Sequence, residues 1–471
     1  KAIALYEQNL EDSIRVLGPD HPSTLTSRFN LAGAYRASGR LDEAITLHEQ
    51  VFTGRSRVLG PDHRSTLISR DELAGAYREA GRFDEAITLK KQILADAMRI
   101  MGPDSPGASA ARNNLAATYR DTGRLDEAIT LYKQNLDDVS RILGLDHPET
   151  LASRHRLAGA YRDTGRLDEA IPLFEQNLTD FVRLAGPDHP ETLASRGNLA
   201  GAYQAAGRLH EAISLFEQNL EDRTRTLGLD HPETLASRHS LAGAYRDTGR
   251  LDEAIPLFEQ NLADFIRILG PDRPDTFTSR STLASAYREA GRPDDAIPLY
   301  EQNLEDRSRT LGPAHPVTLT SRGNLAGAYR EAGRLDEAIH LFEQNLTDFT
   351  RVLGPDHPET LAWRDKLAGA YQAAGRISEA IPLFEQTLTN HTYILGPHHP
   401  DTLNTRNNLA GAYQAAGRLH EAIPLFEQTL TDCTYVLRPH HPRTLITRNH
   451  LANAYLAVGR SEEAKKLFGT P

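Results

Sequence analysis

The sequence predicts an all-α solenoid assembled from repeated pairs of helices, and three observations carry that expectation. A tyrosine returns every 42 residues, at Tyr35, Tyr77, Tyr119, Tyr161, Tyr203, Tyr245, Tyr287, Tyr329, Tyr371, Tyr413 and Tyr455, with no insertion breaking the count. Between successive tyrosines lie two runs in which apolar residues recur at three- and four-residue spacing, the pattern of an amphipathic helix. Glycine or proline punctuates the ends of both runs. A fixed period between about 20 and 50 residues marks an array in which each unit buries its apolar face only against its neighbours. The array takes in residues 1–471 as a single body of eleven repeats, starting and ending within a repeat. About 23 alternating helices, with more than about 70% of residues helical and no strand, are expected.

One unit, His147 to Asp188, serves for all: HPETLASRHRLAGAYRDTGRLDEAIPLFEQNLTDFVRLAGPD. The first helix is announced by an Asp-His-Pro-Glu segment, in which an acidic residue precedes Glu by three positions and resembles a capping box. Proline is tolerated in a helix's first turn. Leu151, Arg154, Leu157, Ala158 and Tyr161 then line one face. Gly165 closes the helix as a left-handed cap, and glycine returns there in every copy from Gly39 to Gly459. The second helix is expected from about Asp168, its N-cap, to Leu184, with Ala170, Leu173, Phe174, Asn177, Leu178 and Phe181 on one face. Acids at its start and Arg183 near its end suit the helix dipole. Pro172, Pro256, Pro298, Pro382 and Pro424 fall near the start of this helix, where an N-cap at Asp168 would leave only the first intrahelical bond unmade. Gly186 and Pro187 end it.

Units vary in regularity. His48 and Lys90 replace the aromatic seen at Phe174, Gly54 replaces Asp180, and Ser105-Pro106-Gly107 interrupts the His-Pro-Glu entry. Toward the other end, Tyr393 and Tyr435 replace the helix-end arginine and Arg438 replaces Gly186.

The pattern Leu157, Ala158, Tyr161, Gly165, Ala170 and Phe174 resembles the tetratricopeptide repeat. Arg154 stands where that family usually has a tryptophan or similar residue, and Asn177 where it has an alanine. The longer unit, with Leu-Gly-Pro-Asp-His-Pro between helix pairs, is similar to the 42-residue units of kinesin light chains, and the resemblance spans essentially all 471 residues. It implies antiparallel helix pairs stacked into a right-handed superhelix whose first helices line the concave side. It implies binding of a peptide or protein and no catalysis.

Composition narrows the function classes. A net charge of −11 argues against a general nucleic-acid or anionic-membrane binder, which needs clustered basic surface. No apolar window is long enough to span a bilayer. The single cysteine, Cys433, excludes an internal disulfide framework. The opening KAIALYEQNL is amphipathic, unlike a signal peptide, and matches the middle of a unit. It reads as the continuation of a longer, cytoplasmic protein.

No catalytic residues, metal ligands or cofactors are expected. Histidines recur nine times in the His-Pro segment, but a metal site needs several ligands converging on one ion, and one histidine per unit reads as entry-loop chemistry. Acids of the Glu169 type recur as helix-start residues and none stands out as a general acid or base. Arginine at the Arg154 position occurs in all eleven units on an otherwise apolar face. It reads either as a bridge to Asn177 and Asp180 inside the stack or as a ladder of ligand arginines.

The candidate binding surface lies on the face of the first helix opposite Leu157 and Tyr161. Ala152, His155, Gly159 and Arg162 share it, and Gly159 recurs as Gly201, Gly243, Gly327, Gly369 and Gly411. A mid-helix glycine costs about 1 kcal/mol relative to alanine, so its return suggests that room is wanted. Arg162, Arg246, Arg288 and Arg330 stand beside that room, and Asn30, Asn114, Asn198, Asn324 and Asn408 flank it. Asparagine can bond both backbone groups of an extended peptide and arginine suits carboxylates. These rows resemble those by which tetratricopeptide grooves hold extended peptides, and imply a protein or acidic peptide partner. The alternative is that Gly159 merely permits close packing and Arg162 pairs with acids such as Asp163. Two functions remain open: a peptide-binding scaffold, alone or as the sensor arm of a larger regulatory protein, and a structural protein that self-associates through its terminal repeats.

Overall fold

The computed structural model describes residues 2–468. Among them are 23 helices and no strand. Helices account for 83% of residues, in keeping with the expected all-α repeat solenoid. Contacts group the chain into two compact units, one ending at Ala244 and one beginning at Tyr245. Within each unit every helix packs chiefly against the helices before and after it.

The local signals in the sequence explain the helix ends, with two corrections. The helix Pro148–Asp163 is capped by His147, whose ring Nδ1 accepts the backbone N–H of Glu149 at 3.1 Å. The preceding acid is not the cap. Proline at the first helical position removes one orphan N–H, and the imidazole reaches the next one. The aspartate turns outward instead to the arginine at the end of the second helix, as in Asp104–Arg141 at 2.7 Å and Asp62–Arg99 at 2.5 Å. Where Ser105 replaces the histidine, its hydroxyl accepts the N–H of Ala108 at 3.1 Å, so that helix stays capped.

The second correction concerns the start of the second helix. It runs Leu167–Ala185, with Arg166 at the N-cap and no side-chain cap. Pro172 therefore sits in the second turn rather than forfeiting only the first bond. What it leaves unmade is a bond to the carbonyl of Asp168, since an α-helical N–H reaches four residues back. Three of the units without this proline place Thr46, Thr88 or Thr130 there, each hydroxyl donating to the carbonyl four residues earlier, and two others place Ser214 or His340.

Apolar packing follows the predicted faces. Leu157, Ala158, Tyr161, Ala170 and Phe174 are buried in one core cluster that also takes in Ile87 and Leu199. The corresponding cluster of the second unit runs from Ala284 to Ala464. Asn177, buried where a small apolar residue would be expected, donates to the carbonyl of Leu151 at 2.9 Å and so ties the two helices of its repeat together.

The tyrosine row makes a polar connection between repeats. The hydroxyls of Tyr35, Tyr77, Tyr329, Tyr413 and Tyr455 each donate to a glutamate 28 residues earlier, on the second helix of the preceding repeat, at 2.5 Å. Tyr287 and Tyr371 make the same bond to Glu259 and Glu343. An arginine five residues later lies over each ring, 4.2 Å from its centroid for Arg40 over Tyr35 and 4.8 Å for Arg166 over Tyr161. Lys91 and Lys133 replace the glutamate for Tyr119 and Tyr161, and there the ammonium faces the ring at 5.8 and 5.5 Å.

Burial, with the glutamate bond second, pushes the phenols of Tyr77, Tyr329, Tyr413 and Tyr455 from the ordinary 10.0 up to about 12. A raised acid pKa in the folded state means the folded form favours the neutral phenol. Its stabilisation is complete below the unfolded value and is lost as pH rises through the folded one. The urea midpoint should therefore fall steeply between pH of about 10 and about 12. Tyr413→Phe with Tyr455→Phe should flatten that fall, and a midpoint indifferent to alkali would contradict the tyrosine linkage.

Two glycines per repeat occupy positive φ, at the Gly165 and Gly186 positions, with φ values of +72° and +92°. Arg438 occupies the second of these positions with φ 79° and ψ 160°, a region nearly closed to residues with a Cβ. Strain of this kind costs about 1–3 kcal/mol. Arg438→Gly should raise the stability of the second unit by roughly that amount, read by urea denaturation; a lower midpoint would show that its side chain contributes more than the backbone loses.

Candidate functional site

The face of the first helices opposite the core carries the candidate groove, and its floor is glycine. An added Cβ at Gly159, Gly201, Gly243 or Gly369 would meet no atom within 4 Å. Gly201, Gly243 and Gly369 are half-buried and Gly159 is buried, and at none of the four does a clash require the glycine. At Gly75 and Gly327 the room is taken by an arginine of the preceding repeat: a Cβ would lie 3.4 Å from Arg36 and 3.5 Å from Arg288.

The five candidate asparagines differ in exposure. Asn30 and Asn114 are exposed, while Asn198, Asn324 and Asn408 are half-buried. Asn408 is already engaged, donating to Asp365 at 3.2 Å. The Asp365 carboxyl, pushed up to about 6 chiefly by burial, has a second oxygen with no partner. Two recesses within the first unit each hold one candidate asparagine and none of the candidate arginines or glycines. One, of about 480 Å³, is lined by Ala152, His155, Arg156, Phe181 and Asn198. The other, of about 210 Å³, is lined by Arg36, Glu72, Gly75, Arg78 and Asn114.

The arginines divide into two groups, and the sequence reading missed the division. An arginine on one first helix reaches the acid 43 residues later on the next: Arg36 to Glu79 at 2.7 Å, Arg120 to Asp163 at 2.5 Å, Arg78 to Asp121 at 3.4 Å. Arg288 grips Glu331 through two nitrogens, which raises the guanidinium and holds the Glu331 carboxyl below its usual range. Arg246 stands 3.8 Å from both Glu289 and Asp247. The residues 43 places after Arg162 and Arg330 are Ala205 and Ala373. Arg162 makes only a loose 3.6 Å contact with Asp163, and Arg330 is exposed with no ion pair among the described residues. The signal was legible: wherever Gln-Ala-Ala-Gly replaces the usual segment, the acid that would close the ladder disappears.

The buried arginine row is structural. Arg154 bonds Asn177 at 3.0 Å and Asp180 at 2.7 Å, both on the second helix of its own repeat. Arg280 meets Asn303 at 3.2 Å and Asp306 at 2.9 Å, and Arg322 meets Asn345 and Asp348 likewise. Arg364, whose aspartate is replaced by Asn390, falls back on the carbonyl of Pro355 at 3.2 Å. None of these guanidinium groups is offered to the groove.

No group of three or more His, Cys, Asp or Glu among the described residues could hold a metal ion. No described helix is long and apolar enough to cross a membrane.

Stacked helix pairs with a solvent-facing row of small and polar residues define a repeat scaffold of the protein-interaction class. The tetratricopeptide repeat family model matches the chain in overlapping segments from residues 1–55 and 30–99 through 401–469, with a second such model over residues 72–141. The chain belongs to the tetratricopeptide repeat family, and its 42-residue repeats are of the kinesin light chain-like kind. Among solved structures it is similar to a protein of Podosopora anserina described as a kinesin light chain with nearly identical TPR-like repeats. The identity is 38% over 44% of this chain and 97% of that one, with a TM-score of 0.40. A single-substitution variant of that protein matches at 37% identity over 43% and 95%, also with a TM-score of 0.40. BtubC (BKLC) from P. vanneervenii matches at 18% identity over 50% and 94%, with a TM-score of 0.43. A search of curated proteins returns no match.

The buried row yields a stability test. Arg280 and Asp306 are each 4% exposed, so Asp306→Ala would strand a guanidinium in the core. A loss of about 3–5 kcal/mol is expected in urea melts. Replacing Arg280 and Asp306 together by Met and Leu should cost much less, and equal losses would show that the pair is not coupled.

Proposed function

We propose that the protein is a non-catalytic scaffold that holds an extended acidic peptide along the outward face of its first helices. The observation that carries this reading is the set of half-buried mid-helix glycines at Gly201, Gly243 and Gly369, where an added Cβ would meet no atom within 4 Å. Glycine there weakens the helix and relieves no clash, so the room has to be worth something else. A peptide backbone fits such room, and the flanking asparagines supply donors and acceptors for it. Arg162 and Arg330, lacking an acid on the next repeat, are the cations best placed to meet carboxylates, while Arg288 is already neutralised by Glu331. The scaffold acts alone or as the sensor arm of a larger regulatory protein, and the cytoplasm suits its buried, unpaired Cys433.

A second reading has its own observation. Large apolar side chains are exposed in the first and last repeats, with Leu5 at 68% and Phe468 at 57%. Self-association through terminal repeats would cover them, and sedimentation at several concentrations reads it directly: a concentration-independent monomer removes it.

The groove reading is tested with a fluorescein-labelled oligoglutamate peptide in anisotropy titrations. Arg246→Ala, Arg288→Ala and Arg330→Ala together should weaken binding, with Arg162 left as the remaining open cation, while the helical melt moves little, since exposed ion pairs contribute about 0–1 kcal/mol each. Singly, Arg330→Ala and Arg162→Ala should weaken binding more than Arg288→Ala. Undiminished binding by the folded triple variant rules the groove out as the acidic-peptide site.

A further inference from the structure

Asp365 lies on the first helix Pro358–Ala373, at the position that other repeats fill with His155, Asn113, Asn407 or Asn449. Its carboxyl faces the next first helix, Pro400–Ala415, where Asn408 donates to Oδ2 at 3.2 Å. The residue as a whole is half-buried, but Oδ1 is enclosed and has no hydrogen-bond partner in the protein. An ionised carboxylate offers about four acceptor sites, and one donor serves it poorly away from water.

Among the described residues no cation stands within ion-pair distance to make up the difference. Lys366, next to it in the chain, lies over the Trp363 ring, 3.7 Å from the centroid. Arg364 bonds the carbonyl of Pro355 at 3.2 Å. Arg330 of the preceding first helix acts on Lys366 rather than on Asp365. The second helix Leu335–Leu353 meets this stretch with Phe342 and Phe349 against Trp363. From the second helix Ile377–Ile394, His391 places its Nδ1 3.1 Å from the Thr405 hydroxyl, and burial pushes that imidazole down. The charged group that acts on Asp365 from Pro400–Ala415 is another acid, Asp401. Burial first, with Asp401 adding to it, raises the carboxyl from the ordinary 3.8 to about 6, against the opposing pull of Thr405 and Asn408. A proton on Oδ1 removes the uncompensated charge and still leaves Oδ2 to accept from Asn408. It also turns Oδ1 into a donor beside the Thr405 hydroxyl.

We propose that Asp365 is a proton-binding site at the joint between two repeats of the second unit: protonation holds Pro358–Ala373 and Pro400–Ala415 together more tightly, and ionisation loosens them. A carboxyl favoured neutral in the folded state stabilises it fully below the unfolded value, and that stabilisation is lost as pH rises through the folded one. The joint is therefore tighter at pH of about 5 than at about 7.5. His391 and His450, both pushed down by burial, act in the opposite sense over the same range, so the effect is read as a difference between two chains.

Trp363 is the single tryptophan and sits two residues from Asp365, so its fluorescence during urea unfolding of the full chain reports this joint. Asp365→Asn carries the residue of Asn113 and Asn407 and should fold. The ratio of the wild-type unfolding constant to that of Asp365→Asn should fall about tenfold from pH of about 7.5 to about 5, the effect of one proton taken up over about one pH unit. Amide hydrogen exchange in Pro400–Ala415, corrected for the intrinsic rate, should slow on acidification more in the wild type than in Asp365→Asn. A ratio that stays constant between the two pH values, or that rises toward acid, overturns the proposal. So does protection of Pro400–Ala415 that responds to pH equally in both chains.

Discussion

A pair of helices of this length cannot bury its own apolar face, and the structure depends on that deficit. Each first helix lies between the second helix of its own repeat and that of the repeat before it, so the core exists only where repeats meet. Apolar contact alone would tolerate slippage, because successive repeats present nearly the same surface. The polar contacts do not. Tyr77 reaches Glu49 on the preceding repeat, Arg36 reaches Glu79 on the following one, and Arg154 binds Asn177 and Asp180 on its own. A stack shifted by one helical turn would break all three kinds of bond together and strand a buried guanidinium. We read these rows as what gives a near-repetitive sequence a single register.

Much of this was visible in the sequence, for a physical reason. Apolar periodicity reports which face is buried, and the arginine at the Arg154 position, fixed on such a face beside a recurring Asn and Asp, could be paired from spacing alone. What escaped depends on reach rather than on period. That His147 rather than the acid before it caps the helix follows from where a ring nitrogen lies once proline fixes the turn. That the second helix starts at Leu167 follows from tertiary packing, since Arg166 offers no side-chain cap to mark the end. The Arg36–Glu79 type of contact joins residues 43 apart, one more than the period, so counting within a unit cannot find it.

Those same contacts bear on how a groove made of copies can be selective. Every closed arginine–acid pair is a position where the surface is locally neutral and the guanidinium is held down. Arg36 and Arg288 even cover the glycine space of the next repeat. Every break, as at Ala205 and Ala373, releases one cation and leaves the neighbouring glycine open. Charge on the groove is thus set by which repeats carry the Gln-Ala-Ala-Gly segment, not by the count of arginines. Small substitutions in an interlocked array act by subtraction, removing a partner and leaving the other group available.

Ser109, which replaces a leucine of other repeats, is the same logic applied to volume. In a stack where each repeat is packed by its neighbours, a lost side chain cannot be compensated by one helix moving, because that helix also packs against the repeat on its other side. The space therefore persists as a hole rather than closing as a shift. Trp363 shows the converse. Its ring fits only because the facing position is Gly323, where even a Cβ would fall 1.9 Å from the indole. Addition in this architecture needs a matching deletion on the adjacent repeat, whereas the room a deletion opens is taken by a neighbouring side chain where one can reach it, as Leu25 does beside Gly54 and Met101 beside Gly107. A recess is left only where no neighbouring side chain reaches, as beside Ser109, where the leucine of other repeats is missing.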